Sequence, residues 1–501
     1  MMKDFEEVEK ELIRIVGSNN VFTDPKTLKA HSRDQSFVRP CTPDFVVFAR
    51  NVKEVQDVVR TANKHSVPVI PYSSGMNLHG ATIPNQGGIT LNLSKMNQIM
   101  ELNEREGWVA IEAGVTYAQL QSKLEKHGLR IMIPFATLPS RSAVSSIVEC
   151  DPTIAAASFE YGNSIHMDME IVLPAGEILR WGKWQVHTDD KWNPPAGGGI
   201  TGEKYMYETL WYGAQGTLGI VTKLVSKVEH LSKINKVFFV PFSKIEEAIE
   251  PLKRIQRKEL GLESFMLNSF NLSSVVAEDW KTPESLPCEK VVSTEFDTLR
   301  GRMPRWTFMI HLSGLPHLPD EKVAYEEEDL KEICEELNVT PLSTVAGVEG
   351  LEDVILDGML HPWKFMKKAR HKGSFCDIAF YTKLGQVPKF ERIVYELAER
   401  RGYPVEDIGG YILPIERARS CYCEFDLHYD LNNVEETERV KRLWFDAHEA
   451  LADSGALLAK SYGPVADIIY RRVNSVYVTK LKELKRELDP NNVMNPGKLC
   501  F

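Results

Sequence analysis

The stretch PYSSGMNLHGATIP (residues 71–84) overlaps the end of a short apolar run, VPVIPYS (67–73), which has the composition of a buried strand. Its serine, glycine and alanine residues are closely spaced, so backbone N–H groups can approach a bound anion without steric interference. The stretch matches neither the G-x-G-x-x-G dinucleotide fingerprint nor the G-x-x-x-x-G-K-[ST] phosphate loop. Two readings remain at this point, a cradle for a pyrophosphate or an ordinary turn after a strand.

Strand and helix patterns alternate on both sides of this loop. Upstream, a β-like run is followed by a helical periodicity and then by the strand of the loop itself, which is the strand–helix–strand unit of an α/β lobe. Downstream, three short strands and a helix predict a second layer of strands. The predicted strands lie at 43–50, 67–73, 88–93, 98–102 and 107–112, and the predicted helices at 52–65 and about 116–127.

The next part of the chain predicts a hairpin, a loop and a strand. The hairpin spans 166–182, with its turn at Pro-Ala-Gly (174–176). Residues 185–203 are rich in proline and glycine and predict an exposed loop, and a loop of this size is often a functional lid. A strand entered through a glycine turn follows at 214–229. A new strand–helix pattern begins after it, so we place a domain boundary near residue 232.

The second half of the chain repeats strand–helix patterns, which favour a sheet with helices on one face. We interpret this part as a lobe on the substrate side. The predicted strands lie at 235–242, 306–314, 373–382 and about 418–429, and the predicted helices at 245–260, about 320–337, 389–402, 434–454 and 465–488.

Length and composition limit the class of protein. A chain of 501 residues is too long for one hydrophobic core and suits two or three domains. A hydrophobic fraction of 43% and a charged fraction of 26% are those of a globular protein, so disorder and fibrous repeats are not favoured. The net charge of −10 argues against nucleic acid and anionic membranes as partners. A small-molecule partner is expected.

Targeting and cysteine patterns suggest a cytoplasmic protein. The N-terminus is charged and lacks the apolar region of a signal peptide, and no run of about 18 apolar residues predicts a transmembrane segment. The eight cysteines are irregularly spaced, and the C-x-C pair Cys421 and Cys423 lies on a strand-like stretch. This pattern predicts neither a disulfide framework nor a metal site. An iron–sulfur centre would therefore belong to a partner protein.

Five motifs in order carry a resemblance to a known family. The chain resembles the FAD-linked oxidases that have a p-cresol-methylhydroxylase-type FAD domain, and within them it is similar to the branch containing vanillyl-alcohol oxidase and p-cresol methylhydroxylase. The similarity to this branch lies in residues 199–223 and in IERARSCYCEF (415–425). The five motifs are PYSSGMNLHGA (71–81), WVAIEAGVTYAQL (108–120), MEIVLPAGEILRWG (169–182), YGAQGTLGIVTK (212–223) and LDPNNVMNPGKL (488–499).

The resemblance implies an α+β (α/β) fold with FAD as cofactor. A split FAD-binding lobe of two subdomains would comprise 1–231 and the C-terminal return at 457–501, and the cap domain at 232–456 would carry an antiparallel sheet covered by helices. The FAD-binding residues that it implies are Ser73, Ser74, Gly75, Met76, Asn77, Leu78 and His79 in the pyrophosphate loop, Pro139, Ser140, Ser142, Ser145 and Ser146 in a second phosphate contact, Gly219 and Ile220 at the adenosine half, and Lys498.

The linkage to FAD is expected to be non-covalent. Many members of the family bind the flavin 8α-methyl group through a histidine of the phosphate loop, and the matching position here is Leu78, with His79 one residue later. The related branch attaches the flavin through a cap-strand histidine or a tyrosine, and this chain has Arg419, Ser420 and Cys421 there. His79 is the alternative covalent link.

Candidate catalytic residues follow from the same resemblance. Phenol-oxidising members hold a phenolate with a Tyr-Arg pair, where this chain has Ala459 and Lys460, with Tyr462 nearby. An ammonium still pairs with an anionic oxygen but lacks the planar fork of arginine. Lys498, Lys460 or Arg419 could stabilise reduced flavin.

A strand places Glu424, Asp426 and His428 on one face, which could line a pocket or, as we favour slightly, face solvent.

The predicted activity is hydride transfer from substrate carbon to flavin N5, while a base takes the hydroxyl proton. We favour an aromatic or alkyl-aromatic alcohol or phenol as the substrate. The alternatives are a 2-hydroxy-acid dehydrogenase, which the missing H-x-G-D-G-N-x-H-like strand counts against, and an electron-transfer subunit. No metal is expected. The predicted partners are a small organic substrate and a redox partner such as a cytochrome or an iron–sulfur protein, and a homo-oligomer stays open.

Overall fold

The chain alternates helices with short strands in its first half. The structure is a computed structural model that describes residues 5–156, 166–181 and 210–501. The helices there are α1 (Phe5–Val16), α2 (Pro25–Ala30), α3 (Val52–His65), α4 (Tyr117–Glu125) and α5 (Ala143–Val148). The strands are β1 (Val21–Phe22), β2 (Phe45–Phe48), β3 (Val69–Tyr72), β4 (Ile89–Asn92), β5 (Ile99–Asn103), β6 (Trp108–Glu112), β7 (Leu129–Arg130), β8 (His166–Val172), β9 (Ile178–Trp181), β10 (Ile220–Lys227) and β11 (Glu229–His230).

These strands form two main sheets. The first has the order β1-β2-β4-β3, in which β4 is parallel to both β2 and β3 and β1 is antiparallel to β2. The second is antiparallel, with the order β5-β6-β10-β8-β9. One hydrophobic core joins both sheets to the helices that cover them. The predicted second layer of strands is therefore confirmed for β5 and β6, but it is wrong for the strand predicted at 88–93, because β4 pairs with β2 and β3 in the first sheet.

The second half of the chain is built on one seven-stranded antiparallel sheet with the order β12-β14-β13-β16-β17-β15-β18. Its strands are β12 (Ile234–Phe242), β13 (Glu263–Asn268), β14 (Trp306–Gly314), β15 (Ser374–Thr382), β16 (Ile408–Ile415), β17 (Ser420–Tyr429) and β18 (Leu457–Leu458). The helices are α6 (Ile245–Arg257), α7 (Ser269–Val276), α8 (Thr294–Arg302), α9 (Pro319–Glu336), α10 (Leu351–Leu360), α11 (Val387–Arg400), α12 (Val434–Asp453), α13 (Gly463–Tyr470) and α14 (Ser475–Leu488).

Both faces of this sheet are covered. Every residue of β14 and β16 is buried, because one core packs against one face and a second core packs against the other. Side chains along β12 alternate between the two cores, since Val240 and Phe242 belong to one core and Val237 and Phe239 belong to the other. Helices cover both faces of this sheet, so the expectation of helices on one face is wrong, because each face carries its own core of apolar residues. The predicted fold class is confirmed.

The C-terminal residues return to the first sheet. The backbone N–H of Val69 in β3 donates to Val493 O (2.7 Å), and that of Asn495 donates to Val69 O (2.9 Å). The side chain of Lys485 in α14 is buried and donates to Thr217 O (2.7 Å) and Met494 O (2.9 Å). The tail is therefore fixed beside the loop that follows β3.

One predicted helix is wrong in its extent. The amphipathic pattern at 465–488 predicts a single helix, but the structure has α13 and α14, separated by a turn at residues 471–474. The break follows from Asn474, whose side chain accepts a hydrogen bond from the N–H of Val476 (2.8 Å) and caps α14. The predicted loop at 185–203 lies outside the described residues.

The predicted domain bounds stay a prediction. The cap sheet starts at Ile234, close to the predicted boundary at 232, whereas the short strand β18 at 457–458 still pairs with β15 of the cap sheet. Within the described ranges, none of the helices combines the length and the apolar character that crossing a lipid bilayer requires.

Candidate active site

A cleft lined by small residues lies between the loop after β3 and the loop before β10. We call it the small-residue cleft; about 830 Å³ of space lies in it between protein atoms, and part of this space is open to solvent. The sequence-predicted residues that line it are Ser73, Ser74, Gly75, Met76, Asn77, Ser145, Gly219 and Ile220.

Glycines let these loops approach each other closely. Gly216 has φ +71°, and a Cβ atom there would overlap Cγ of Pro71. A Cβ atom at Gly75 would overlap the hydroxyl of Tyr72, and one at Gly219 would lie 2.9 Å from Cγ2 of Ile171. The backbone therefore forms walls without side chains, which suits the close approach of a phosphate-bearing ligand.

Ser142 joins the phosphate-loop candidate to α5. Its N–H donates to Oγ of Ser74 (3.0 Å), and its own Oγ donates to Ala113 O (2.6 Å) and accepts from the N–H of Ser145 (3.1 Å). Ser142 thus caps α5 and fixes the loop at the same time. Ser146 is fully buried in α5, and Oγ of Ser140 donates to Glu284 O (3.3 Å).

A second cavity meets the first at Met76 and Asn77, which line both. We call it the aromatic cavity, and it encloses about 650 Å³ of empty space between the FAD-lobe candidate and the cap. The rings of Phe135 and Tyr411 are stacked, with centroids 3.9 Å apart and planes 7° apart. The aromatic residues that line the cavity are Phe135, Phe375, Tyr411 and Tyr422.

One ion-pair group lies where the two cavities meet. Asp151 accepts from Arg141 (2.8 Å) and from Lys460, and Arg141 also pairs with Glu149. Burial would raise the pKa of Asp151, but the charges of Lys460 and Arg141 outweigh it and hold the pKa below its usual range. Asp151 is therefore an anion flanked by two cations.

A second ion-pair group lies at the cap side of the aromatic cavity. The Nζ atom of Lys368 donates to Oε1 of Glu424 (3.0 Å) and to both oxygens of Asp426 (2.9 and 2.8 Å). The hydroxyl of Tyr422 donates to Oε2 of Glu424 (2.9 Å). Burial, together with the charge of Glu424, raises the pKa of Asp426 to about 7 although Lys368 opposes this. Glu424 is held by two donors and lines the cavity.

The loop residues 77–79 have a distinctive conformation. Leu78 has φ 65°, a left-handed conformation that is uncommon for a non-glycine residue. Nδ2 of Asn77 donates to Glu149 (2.7 Å), and its Oδ1 accepts from the N–H of His79 (3.1 Å). The ring of His79 stacks on Tyr462 with centroids 5.4 Å apart, and its Nδ1 lies 3.6 Å from Oδ1 of Asp377.

The structure brings together many of the predicted site residues and leaves others apart. Leu78, His79, Glu424 and Lys460 line the aromatic cavity, and Tyr462 lines a smaller cavity next to His79. Arg419 is exposed in the turn between β16 and β17, and neither Arg419 nor Pro139, Ser140, Ser142 or Ser146 lines the small-residue cleft or the aromatic cavity.

Lys498 is buried away from both cavities. Its ammonium donates to Gly80 O (2.8 Å), Ile83 O (2.8 Å) and Oδ1 of Asn85 (3.0 Å). Burial lowers the pKa of Lys498 to about 8. These contacts hold the segment 80–85 against the C-terminal tail, and a contact with the flavin stays a prediction.

The solvent-facing interpretation of the strand at 423–430 is wrong. Asp426 and His428 are fully buried and Glu424 lines the aromatic cavity, because helices cover this face of the cap sheet. Sequence analysis also missed Lys368, Asp151 and Asp377, which line the aromatic cavity. Lys368 is one of several basic residues in KFMKKARHK (364–372), and the sequence carries no signal that this one is buried.

No group of three or more His, Cys, Asp and Glu side chains that could hold a metal ion is found in the described part of the chain. The side chains that the described part of the site offers for chemistry are carboxylates, cations and hydroxyls, beside any organic cofactor that its cleft holds.

Comparison with known proteins identifies that cofactor. Residues 43–182 match the family described as the FAD binding domain, and residues 425–499 match the C-terminal domain of FAD linked oxidases. The chain is 26% identical over 530 residues to the probable mitochondrial D-lactate dehydrogenase of Danio rerio, covering 99% of this chain and 92% of that protein. It is 22% identical over 543 residues to the flavoprotein subunit of 4-cresol dehydrogenase [hydroxylating] of Pseudomonas putida, covering 99% and 95%.

Solved structures share the fold over the full length. The structure of p-cresol methylhydroxylase with substrate bound matches with a TM-score of 0.80 and 20% identity, covering 100% of this chain and 98% of that chain. The 4-ethylphenol oxidase of Gulosibacter chungangensis matches with a TM-score of 0.78 and 20% identity, covering 99% and 97%. The chain therefore carries the FAD binding domain and the C-terminal domain of FAD linked oxidases, and it is a FAD-dependent oxidoreductase.

Proposed function

We propose that the enzyme oxidises a neutral aromatic or alkyl-aromatic alcohol or phenol. The observation that carries this proposal is the composition of the aromatic cavity, in which four aromatic rings surround the space and each described lysine or arginine of the lining is already paired with a carboxylate. A flat apolar substrate gains from burial against aromatic rings.

The balance of charge favours a neutral substrate. The cations are Arg141, Lys368 and Lys460, and the carboxylates beside them are Glu149, Asp151, Asp377, Glu424 and Asp426. The carboxylates therefore outnumber the cations, also when Asp426 is protonated. An anionic substrate would have to displace one of these carboxylates, or enter against their combined charge.

The residues that would hold FAD are those of the small-residue cleft, because its glycine walls let a phosphate-bearing cofactor approach the backbone closely. Bound FAD supplies the acceptor for the hydride that leaves a substrate carbon. We place the linkage as non-covalent, since Leu78 occupies the position of the linking histidine. Acid precipitation of the purified holoenzyme should then leave the flavin in the supernatant, and yellow colour in the pellet would point to His79.

The residues at the two ends of the aromatic cavity have different tasks in this proposal. Glu424 accepts the proton of the substrate hydroxyl, because it lines the cavity and is oriented by Lys368 and Tyr422. Lys460 and Arg141 place positive charge at the entrance from the small-residue cleft, where it stabilises negative charge that arises on reduction. Tyr462 packs on His79 and holds its ring in place.

A second candidate is the oxidation of a 2-hydroxy acid. Its support is the similarity to the D-lactate dehydrogenase of Danio rerio over nearly the whole chain. A carboxylate substrate would then compete with Asp151 for Arg141 and Lys460.

The electron acceptor is a further part of the proposal. A relative in Arabidopsis thaliana is named D-lactate dehydrogenase [cytochrome], which supports a cytochrome as redox partner in our proposal.

Anaerobic mixing of the FAD-loaded enzyme with single compounds tests the proposal. We expect 4-ethylphenol, an alkyl-aromatic phenol, to bleach the visible flavin absorption, and D-lactate to leave it unchanged over the same time. The reverse pattern would support the second candidate and contradict the first. Neither compound needs an added electron acceptor, so the result does not depend on the unidentified partner.

A further inference from the structure

The hydroxyl of Tyr411 is buried in the wall of the aromatic cavity without a partner. The residue is 1% exposed, and its Oη atom has no hydrogen-bond partner among the described residues. The ring itself is fixed, because it stacks on Phe135 at a centroid distance of 3.9 Å. A buried hydroxyl without a partner is unfavourable, so its presence in a ligand cavity points to a partner supplied by the ligand.

Strand pairing places this hydroxyl beside the proposed base. Tyr411 in β16 is directly opposite Glu424 in β17, so their side chains lie next to each other on one face of the sheet. Glu424 is already held by Lys368 and by Tyr422 through its two oxygens. The free donor of Tyr411 and the acceptor oxygens of Glu424 therefore border the same part of the cavity.

Tyr411 stays a neutral donor. Burial raises its pKa well above the usual value, and the negative charge of Glu424 raises it further. The charged and titratable groups around the Tyr411 side chain are Glu424 in β17, Lys368 in the 3-10 helix at 362–371, Tyr422, and Asp426 two residues after Glu424 in β17. The Tyr411 hydroxyl therefore keeps its proton, so it can donate a hydrogen bond to a substrate oxygen.

We propose that Tyr411 and Glu424 together recognise one hydroxyl group of the substrate, Tyr411 by donating a hydrogen bond to its oxygen and Glu424 by accepting its hydrogen. This assignment rests on the proposed function. When the substrate O–H bond breaks, the proton forms a new O–H bond on Glu424, and the electron pair stays on the substrate oxygen, where the Tyr411 donor stabilises it. Tyr411 is then a specificity-determining residue.

The consequence is selection for hydroxylated rings. A compound of the same shape without the hydroxyl leaves Tyr411 without a partner and should bind at least about tenfold more weakly. Two further buried polar atoms of the lining, Oγ1 of Thr137 and Oε1 of Gln35, also lack a partner among the described residues. The lining as a whole is therefore prepared for a ligand that carries polar groups as well as a ring.

The test compares two compounds that differ only in the hydroxyl. Dissociation constants of 4-ethylphenol and of ethylbenzene are measured by isothermal titration calorimetry without oxygen, with the FAD of the enzyme reduced beforehand so that no hydride transfer occurs, in the wild type and in Tyr411→Phe. The control is Tyr403→Phe, because the Tyr403 hydroxyl bonds to the backbone of His428 and lies outside the cavity lining. Flavin content and melting temperature show that each variant is folded.

The proposal expects the wild type and Tyr403→Phe to prefer 4-ethylphenol by at least about tenfold, and Tyr411→Phe to lose most of this preference while it binds ethylbenzene as before. An unchanged preference in Tyr411→Phe would overturn the assignment of Tyr411 alone. Failure of both compounds to bind the wild type would overturn the proposed function, and the assignment with it.

Discussion

The Nζ atom of Lys368 lies 2.8 Å from Oδ2 of Asp426, and the side chains are only 1% and 0% exposed. The same ammonium holds Glu424 at 3.0 Å, so one buried cation connects the interior of the cap to the wall of the aromatic cavity. Removal of either partner of such a pair leaves an uncompensated buried charge. Lys368 is therefore a positioning residue whose charge keeps Glu424 oriented toward the cavity.

Replacement of Lys368 by methionine should lower the free energy of unfolding by about 3–5 kcal/mol, because two carboxylates lose their buried partner. Denaturant unfolding of the FAD-loaded enzyme measures this change. Lys331→Met is the control, since Lys331 is 58% exposed and pairs with Glu327 on the surface of α9. That variant should change stability by less than about 1 kcal/mol. Equal losses in both variants would contradict the role of Lys368.

The raised pKa of Asp426 makes stability depend on pH. Its pKa is about 7 in the folded protein and near the ordinary 3.8 in the unfolded chain, so the folded state binds the proton more tightly. The stabilising contribution is complete below pH 3.8 and is lost as the pH rises through about 7. Lys368, Glu424 and Asp377 are the charged groups that act on it.

Asp426→Asn should therefore gain stability relative to the wild type as the pH rises from 4 to 7, by on the order of 2–4 kcal/mol. Thermal or denaturant unfolding of both proteins at several pH values measures the difference. A difference that is constant with pH would show that Asp426 is not protonated in this range.

Close approach of the loops around the small-residue cleft predicts a strong effect of one methyl group on FAD binding. Gly216→Ala should weaken FAD affinity at least about tenfold, because the new Cβ overlaps Pro71 and the residue has φ +71°. Gly128→Ala is a matched control, since Gly128 has φ +68° and no atom near its added Cβ but lies outside the lining of the cleft. Titration of apoprotein with FAD, followed by flavin fluorescence, separates the two. Equal losses would assign the effect to φ alone.

Two buried tyrosines should respond oppositely to loss of the hydroxyl. The Tyr403 hydroxyl donates to His428 O (3.1 Å) and accepts from the N–H of His428 (2.7 Å), so Tyr403→Phe should cost about 1–3 kcal/mol of unfolding free energy. The Tyr411 hydroxyl has no partner among the described residues, so Tyr411→Phe should leave stability unchanged or raise it. Denaturant unfolding without added substrate compares them. A large loss in Tyr411→Phe would reveal a structural role.

Local elements could be predicted from the sequence far better than the aromatic cavity. The helix predicted at 52–65 has those bounds in the structure, because Asn51 caps it and its apolar residues repeat at helical spacing. Residues 73–77 of the small-residue cleft could also be predicted as candidates, since small residues in a loop after a strand are visible in one stretch of sequence.

The aromatic cavity depends on distant parts of the chain. Phe135 comes from a loop after β7, Lys368 from a 3-10 helix and Glu424 from β17, and they meet only because the cap sheet packs against the first lobe. Period-two alternation shows that Glu424 and Asp426 share a face, but it does not show which face the helices cover. Burial of a charged face is a tertiary property, which is why the solvent-facing interpretation was wrong.

The aromatic cavity should accept neutral aromatic hydroxyl compounds and reject anionic ones. The most direct measurement compares the rates at which 4-hydroxybenzyl alcohol and 4-hydroxymandelate reduce the FAD of the enzyme without oxygen, because the second compound carries the same ring and an added carboxylate. We expect rapid reduction by 4-hydroxybenzyl alcohol and reduction at least about a hundredfold slower by 4-hydroxymandelate. Faster reduction by 4-hydroxymandelate would contradict the claim and favour a 2-hydroxy acid as the substrate.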